Sequence, residues 1–444
     1  MSSIVQTLEA LLGAHAVIPW NNLDSSLQHQ IDRAVTDAST PCVVYPNTPE
    51  ELAAVVSCAQ QNHWRLLPCG QGSKLHWGGM TNNIQLVVST ARLNRLIEHA
   101  SGDLTVTVEA GLKVADLQAH LANAGQFLAI DPAYANQSTL GGVVATADTG
   151  AWRQRYGGIR DMLIGVSFVR SDGQLTKAGG RVVKNVAGYD LMKLMTGSYG
   201  TLGILTQLTF RIYPLPETSE TVVLTGEAAA IEQLTATLLA SALTPTAIEL
   251  ISPAWISQLE LSDRQTAMGV IVRFQSIAIS VEQQVNQLHD WARQAGLGLH
   301  SLKGEAEIAL WRQLQERIET APQETAVTCK IGIVASQAVQ GLQQLEQFVP
   351  LGISGLARVH AASGLGEVQL SGATLPTQIE ALATLRRFCQ AQGGFLTLLA
   401  APADLKSKLD PWGEIGNALP IMQRLKAQFD PNSILSPHRF VGGI

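Results

Sequence analysis

The chain has 444 residues, long enough for two or three domains, with 46% hydrophobic and 15% charged residues and a net charge of -6. That balance excludes a general pull toward nucleic acid or anionic membrane, and no apolar run is long enough to span a bilayer. The five cysteines (Cys42, Cys58, Cys69, Cys329, Cys389) are scattered, which fits free thiols in a reducing compartment and offers no metal-ligand spacing. The first twenty residues lack a basic start, so the expectation is a cytoplasmic protein that reaches a membrane only through a partner.

Residues 1–40 read as helical, with Val5, Leu8, Leu11 and Leu12 on one face and a second helix around Leu27 to Val35. Val43 to Tyr45 is a short apolar strand. Thr48, Pro49 and Glu51 then form a cap, first-position proline and third-position acid for a helix through Gln60. A strand from Arg65 to Pro68 runs straight into Gly70-Gln71-Gly72-Ser73-Lys74. This is β-α-β with a glycine loop at a strand's carboxyl end, where open α/β folds place ligands. The spacing is neither the dinucleotide fingerprint, since Leu75 stands where a glycine is needed, nor a P-loop. The loop offers consecutive backbone N–H groups suited to a pyrophosphate, and a plain structural turn fits it equally well.

Strands follow at Ile84 to Val88 and Leu104 to Glu109, then an amphipathic helix from Gly111 to Ala124 with Val114, Leu117 and Leu121 on one face. Asp131-Pro132 breaks a short strand at Phe127 to Ala129. Ser138 or Thr139 caps a helix opening with Leu140-Gly141-Gly142 and continuing through Ala145, small enough for a ligand to sit against its start or for close helix–strand packing. Arg153, Arg155 and Arg160 crowd the next loop, and a hairpin follows, turning at Ser171-Asp172-Gly173. Gly179 to Glu217 reads as a loop, a helix from Tyr189 to Met195, a turn through Gly197, Gly200 and Gly203, and a strand to Tyr213 closed by Pro214 and Pro216.

Four motifs stand in a fixed order: PCGQGSK, DPAYANQSTLGGVVAT, RYGGIRDMLIGV and KNVAGYDLMKLMTGSYGTLGILT. In that order they resemble the flavin-binding domain of the vanillyl-alcohol oxidase-type (PCMH-type) FAD oxidoreductases, over roughly residues 40–217 and again at QRLKAQFDPNSILSPHRF. The KNVAGYD block is most similar to FAD-binding subunits of the glycolate oxidase (glycolate dehydrogenase) group. The resemblance implies an α+β fold: an N-terminal helical segment (1–40), a two-part PCMH-type FAD-binding domain (41–217), an α+β cap or substrate domain (218–401) and a C-terminal segment returning to the FAD domain (402–444). It implies that Gly70, Gln71, Gly72, Ser73 and Lys74 wrap the FAD pyrophosphate through main-chain donors. Asp131, Pro132, Thr139, Gly141, Gly142 and Ala145 would line the adenosine and diphosphate side. Tyr156 and Gly157 would lie near the flavin ring, with Gly203 and Ile204 beside the ring or ribityl chain. Covalent members carry a linking His or Cys at set loop positions; here the loop presents Gln71, Ser73 and Lys74, with His76 displaced and Cys69 packed inward, so non-covalent FAD is expected.

Beyond residue 217 the elements are strands at Thr221 to Gly226, Ala247 to Ile251, Met268 to Gln275, Thr328 to Val334 and Gly355 to His360. Helices are expected at Ala228 to Ser241, Val281 to Gln294, Gln337 to Phe348 and Ala418 to Phe429, the last with Leu419, Met422, Leu425 and Phe429 inward. Repeated β-α-β units on one sheet suggest the cap. His289 and His300 read as surface or structural positions, and Trp412 as a core residue or a partner anchor. Oxidation of a 2-hydroxy acid needs a base for the hydroxyl proton and a cation for the carboxylate. Arg155, Arg160 and Arg358 are the candidate cations, and His360, at a strand end, is the candidate facing the flavin. The H-x-G-D-G-N-like histidine motif of relatives that oxidise such acids alone is missing. The resemblance therefore implies a flavin subunit of a glycolate (2-hydroxy acid) dehydrogenase, passing electrons to a partner. Its hetero-complex would hold a homologous flavin subunit and an iron–sulfur subunit. A self-sufficient oxidoreductase for another hydroxy acid or alcohol, and a non-catalytic flavin-fold scaffold, remain the alternatives.

Overall fold

The structure, a computed structural model, describes residues 2–37, 40–181, 188–260, 267–319 and 326–444. Lys184 and the start of the KNVAGYD block lie outside the described residues. The fold is α+β, and the chain divides into two compact units. The first comprises Met1–Thr149, Gly157–Leu215 and Glu414–Ile444; the second comprises Gly150–Tyr156 and Pro216–Gly413. Residues 402–413, expected in the C-terminal segment, thus belong to the second unit.

The first unit contains β1 (Val17–Ile18), β2 (Cys42–Val44), β3 (Leu66–Cys69) and β4 (Leu86–Ser89), paired in the order β1-β2-β4-β3. Strands β2 and β3 are not neighbours, because β4 enters between them and pairs in parallel with both. Their apolar runs are unbroken because both faces are covered. Val44, Leu66 and Leu86 point into one cluster, and Val43, Leu67 and Val87 into the other. Each such side chain contributes about 1.5–3 kcal/mol by leaving water. The helix Pro49–Gln61 seals the first face with Leu52, Val55, Val56 and Ala59. Thr48 Oγ1 accepts the Glu51 amide at 3.1 Å, but the Glu51 carboxylate reaches past the cap residue to the Asn47 amide at 2.7 Å.

A second sheet of this unit joins β5 (Leu96–Ala100), β6 (Thr105–Glu109), β8 (Leu163–Val169), β9 (Leu175–Gly179) and β10 (Ile204–Arg211) in the antiparallel order β5-β6-β10-β8-β9. A two-stranded ribbon pairs β7 (Gln126–Phe127) with β11 (Tyr213–Pro214). The strand β5 has no buried residue and exposes Ile97, so it has little of the apolar alternation that marks a strand in sequence.

The second unit is built on one eight-stranded sheet. Its strands are β12 (Thr218–Gly226), β13 (Ala247–Ile251), β14 (Met268–Ser276), β15 (Gly298–Leu302), β16 (Val327–Gly332), β17 (Ile353–His360), β18 (Leu365–Gly372) and β19 (Phe395–Ala400). They run β15-β12-β14-β13-β17-β18-β16-β19, antiparallel throughout, rather than as the β-α-β repeats expected from the alternating elements. Two helices absent from the sequence expectation, Gly304–Glu319 and Leu375–Ala391, help to cover it. One face is a large apolar core including Val270, Val272, Val359, Val368 and Leu398. The alternate residues form a mixed face, where Ile251, Ile271 and Trp255 adjoin the buried Glu249, Arg358 and His360.

Candidate flavin-binding cleft

The first unit holds a cleft at the carboxyl ends of β3 and β4, enclosing about 730 Å³ of empty space when the part open to solvent is counted. Gly70, Gln71, Gly72, Ser73 and Lys74 form one wall, Thr139, Gly141, Gly142 and Ala145 a second, and Gly203 and Ile204 a third. Three segments far apart in sequence therefore meet in one place. Asp131, Pro132, Tyr156 and Gly157 do not line it. Asp131 lies on the approach to Ala133, whose amide donates to Asp148 Oδ2 at 2.9 Å. Gly157 turns the chain at φ 79° against Asp161, and Tyr156 belongs to the second unit.

The amides of Gly70, Gln71, Gly72, Ser73 and Lys74 find no acceptor among the described residues. Five consecutive residues that line the cleft, with amides engaged by no described acceptor, suit an anion nest. Gly72 holds φ 85°, a left-handed value that lets the loop bend back. Gly70 is required for a different reason: a Cβ there would stand 2.1 Å from Thr139 Oγ1. The helix Leu140–Thr146 does not add donors. Its first amides are used within the chain: Leu140 donates to Leu112 O, Gly141 to Ala110 O, Gly142 to Thr139 Oγ1 at 3.2 Å and Val143 to Thr139 O. Gly141 and Gly142 line the cleft as surface while their amides bond within the chain. A Cβ at Gly142 would meet only Thr139 Oγ1, at 3.2 Å.

Lys74 does more than present its amide. Its Nζ lies 2.8 Å from Asp148 Oδ2, with both side chains buried, an ion pair whose angle is not that of a hydrogen bond. Cys69 lines the cleft, and burial pushes its thiol up to about 12. A thiol that keeps its proton is a poor nucleophile. His76 is buried, with Nδ1 3.1 Å from Gln30 Oε1. Reading by local pattern passed over Thr90, Ser198, Tyr199 and Arg439, which also line the cleft, while Gly200 lines it beside the expected Gly203. Arg439 is buried, and its guanidinium donates to Leu75 O at 2.6 Å and, more weakly, to Trp77 O at 3.4 Å.

The candidate catalytic residues are divided between the units: Arg160 belongs to the first, and Arg155, Arg358 and His360 to the second, the last two on one face of β17. Arg155 is exposed on a helical turn of the second unit, and Arg160 is exposed on one of the first. Arg358 is buried and engaged: Nε and Nη2 donate to Glu367 Oε2 at 3.0 and 2.6 Å. His360 is buried opposite Glu249 across β13 and β17, and its Nδ1 makes a short hydrogen bond to Glu249 Oε1. Glu249 is fully buried, and its Oε2 has no hydrogen-bond partner among the described residues. Glu249 was absent from the sequence reading, because a lone glutamate in the run AIELI carries no local mark.

Comparison with known proteins agrees with this geometry. A family model described as "FAD binding domain" matches residues 40–179. The chain is 30% identical over 219 residues to the Bacillus subtilis glycolate oxidase subunit GlcD, covering 49% of this chain and 47% of that protein. It is 38% identical over 125 residues to the Escherichia coli glycolate oxidase subunit GlcE, covering 28% and 36%. The chain thus spans less than half the length of these curated relatives. Among solved structures, 4-ethylphenol oxidase from Gulosibacter chungangensis superposes with a TM-score of 0.76 over 99% of this chain and 96% of the other at 16% identity. The p-cresol methylhydroxylase structure gives 0.74 over the same shares, also at 16% identity. The α+β fold is shared with p-cresol methylhydroxylase, and residues 40–179 match the FAD binding domain family model.

Proposed function

We propose that the chain is the FAD-binding subunit of a glycolate (2-hydroxy acid) dehydrogenase complex that oxidises glycolate to glyoxylate and passes electrons to a partner. One observation carries the reading: the nest of open amides from Gly70 to Lys74, walled by Gly142 and Gly203, sits within the segment that matches an FAD domain. The residues fit the group. Main-chain donors and small side chains suit a diphosphate and a flat ring system, and Gly142 leaves open the space that a Cβ would fill. FAD would be held without a covalent bond, since Cys69 keeps its proton and His76 is buried against Gln30. Bound there, FAD supplies the two-electron acceptor that oxidation of a hydroxy acid requires.

The chain must supply a base for the hydroxyl proton. His360 fits that role. Its Nδ1 lies in a short hydrogen bond with Glu249 Oε1, an imidazole–carboxylate pair of the kind that takes up a proton in general-base catalysis. Arg155 and Arg160 are the exposed cations left for a substrate carboxylate, since Arg358 is committed to Glu367. The assembly would pair this chain with a homologous flavin subunit and an iron–sulfur subunit in the cytoplasm. The His360–Glu249 pair also favours a second reading, self-sufficient turnover of a small hydroxy acid, because it gives the chain a base of its own.

The test is to purify the chain with FAD, extract the flavin by denaturation, and mix the flavin-loaded protein anaerobically with glycolate or D-lactate. The expected result is extractable flavin that bleaches with glycolate only when the partner subunits are added. Bleaching by the chain alone selects the second reading, and His360→Gln should slow it by about 10²–10⁴-fold. A chain that cannot be loaded with FAD overturns both.

A further inference from the structure

We infer that Arg439 is a positioning residue for the anion-binding loop, so that cofactor retention depends on the C-terminal segment being docked. The inference rests on the cleft being the flavin site. Its Nη2 donates to the carbonyl of Leu75, which follows directly on the five amides, and more weakly to that of Trp77, two residues further on. The carbonyl of Arg439 in turn accepts the Gly79 amide at 3.2 Å, and Thr81 Oγ1 donates to Pro437 O at 2.7 Å. One short segment therefore grips the chain from residue 75 to residue 81 at four points, from more than 350 positions away in sequence.

The segment is itself held under constraint. Ser433, Ser436 and His438 adopt φ of 50°, 44° and 65°, left-handed values that side chains resist. It is kept there by a bridge between Leu435 and Leu66 on β3, by the Ser436 amide on Leu66 O, and by stacking of Phe440 on Tyr199. Arg439 thus joins the strand that ends in the loop to the far side of the same loop. A guanidinium suits this task because one terminal nitrogen carries two N–H donors on a planar, permanently charged head, here reaching Leu75 O closely and Trp77 O more weakly. Burial lowers the guanidinium toward about 10, still charged at neutral pH, so the donors persist.

The experiment uses the full chain and measures the Kd for FAD by flavin fluorescence quenching, in parallel with thermal unfolding of the flavin-free protein. Arg439→Met should weaken FAD binding on the order of 10- to 100-fold, the value of one or two charge-assisted hydrogen bonds. Arg439→Lys should recover part of the loss, and guanidinium ion added to Arg439→Ala should restore affinity. Should Arg439→Met fail to fold, the Lys variant and the guanidinium rescue carry the test. An FAD affinity within twofold of the parent in a folded Met variant, or no recovery by guanidinium in a folded Ala variant, overturns the role of Arg439 while leaving the flavin cleft standing. A parent chain that does not bind FAD overturns the cleft reading and this inference with it.

Discussion

At Gly142 the space beside the backbone is empty except for Thr139 Oγ1, whereas at Gly70 the same space is filled by Thr139 itself. The two glycines therefore differ in kind: Gly70 is demanded by the packing of the loop, while Gly142 leaves space open in the cleft. Gly142→Leu places a side chain in the cleft at a helical position with ordinary backbone angles, so flavin retention should be lost while the flavin-free protein unfolds within a few degrees of the parent. The ratio of flavin to protein absorbance after desalting, with a thermal scan, checks it; full flavin content would mean that the ligand lies elsewhere. Gly72→Trp is the poorer probe, because its φ of 85° resists any side chain and its Cβ would press on Leu27. The glycine loop was legible in the sequence because its spacing after a strand has a physical meaning. Glu249 was not, since its significance comes from His360, 111 positions away.

Among elements, the C-terminal helix Leu419–Phe429 shows what amphipathic spacing conveys and what it omits. Leu419, Met422, Leu425 and Phe429 are each only half-buried, while Lys426 between them is buried. Its Nζ reaches Asp430 Oδ2 at 2.6 Å, Leu435 O at 2.8 Å and Thr201 O at 2.9 Å, tying the helix to the turn before Gly203. Asp430 also accepts the amides of Ile434 and Leu435. Burial pulls the Lys426 ammonium below its usual range, and the charge of Asp430 opposes that pull. Lys426→Met leaves Asp430 buried without its cation and should cost about 3–5 kcal/mol in urea unfolding. The double change Lys426→Met with Asp430→Asn should recover part of that loss; a single variant as stable as the parent would show the node to be dispensable. Sequence periodicity marks which residues are apolar, but a lysine stem is also apolar, and only the meeting of Thr201, Asp430 and Leu435 shows why its head turns inward. The same limit explains β4: each strand is visible locally, while its insertion between β2 and β3 is a matter of topology.

Across the whole molecule the cysteines form no disulfide among the described residues and respond to pH together. Burial pushes the thiols of Cys69, Cys329 and Cys389 up to about 12 and that of Cys42 to about 11, against 9.0 for the unfolded chain. Between pH 9 and these values the unfolded chain gives up thiol protons that the folded chain keeps. The folded state then binds more protons, so stability is whole below pH 9 and falls as pH rises. Each fully protected thiol contributes a slope of about 1.4 kcal/mol per pH unit in that window. Cys329 and Cys389 belong to one core cluster of the second unit; burial is the main cause at both, the Arg386 charge opposes it at both, and Cys389 adds a smaller upward push on Cys329. Urea midpoints measured under reducing conditions from pH 8 to 10.5 should therefore decline. The Cys329→Ala variant should lie below the parent at pH 8, from the small cavity it leaves, and should decline less steeply above pH 9. Lysines and tyrosines titrate in the same range in both proteins, so the difference between the two slopes isolates the thiol. Parallel slopes would show that the Cys329 thiol ionises as freely in the folded chain as in the unfolded one.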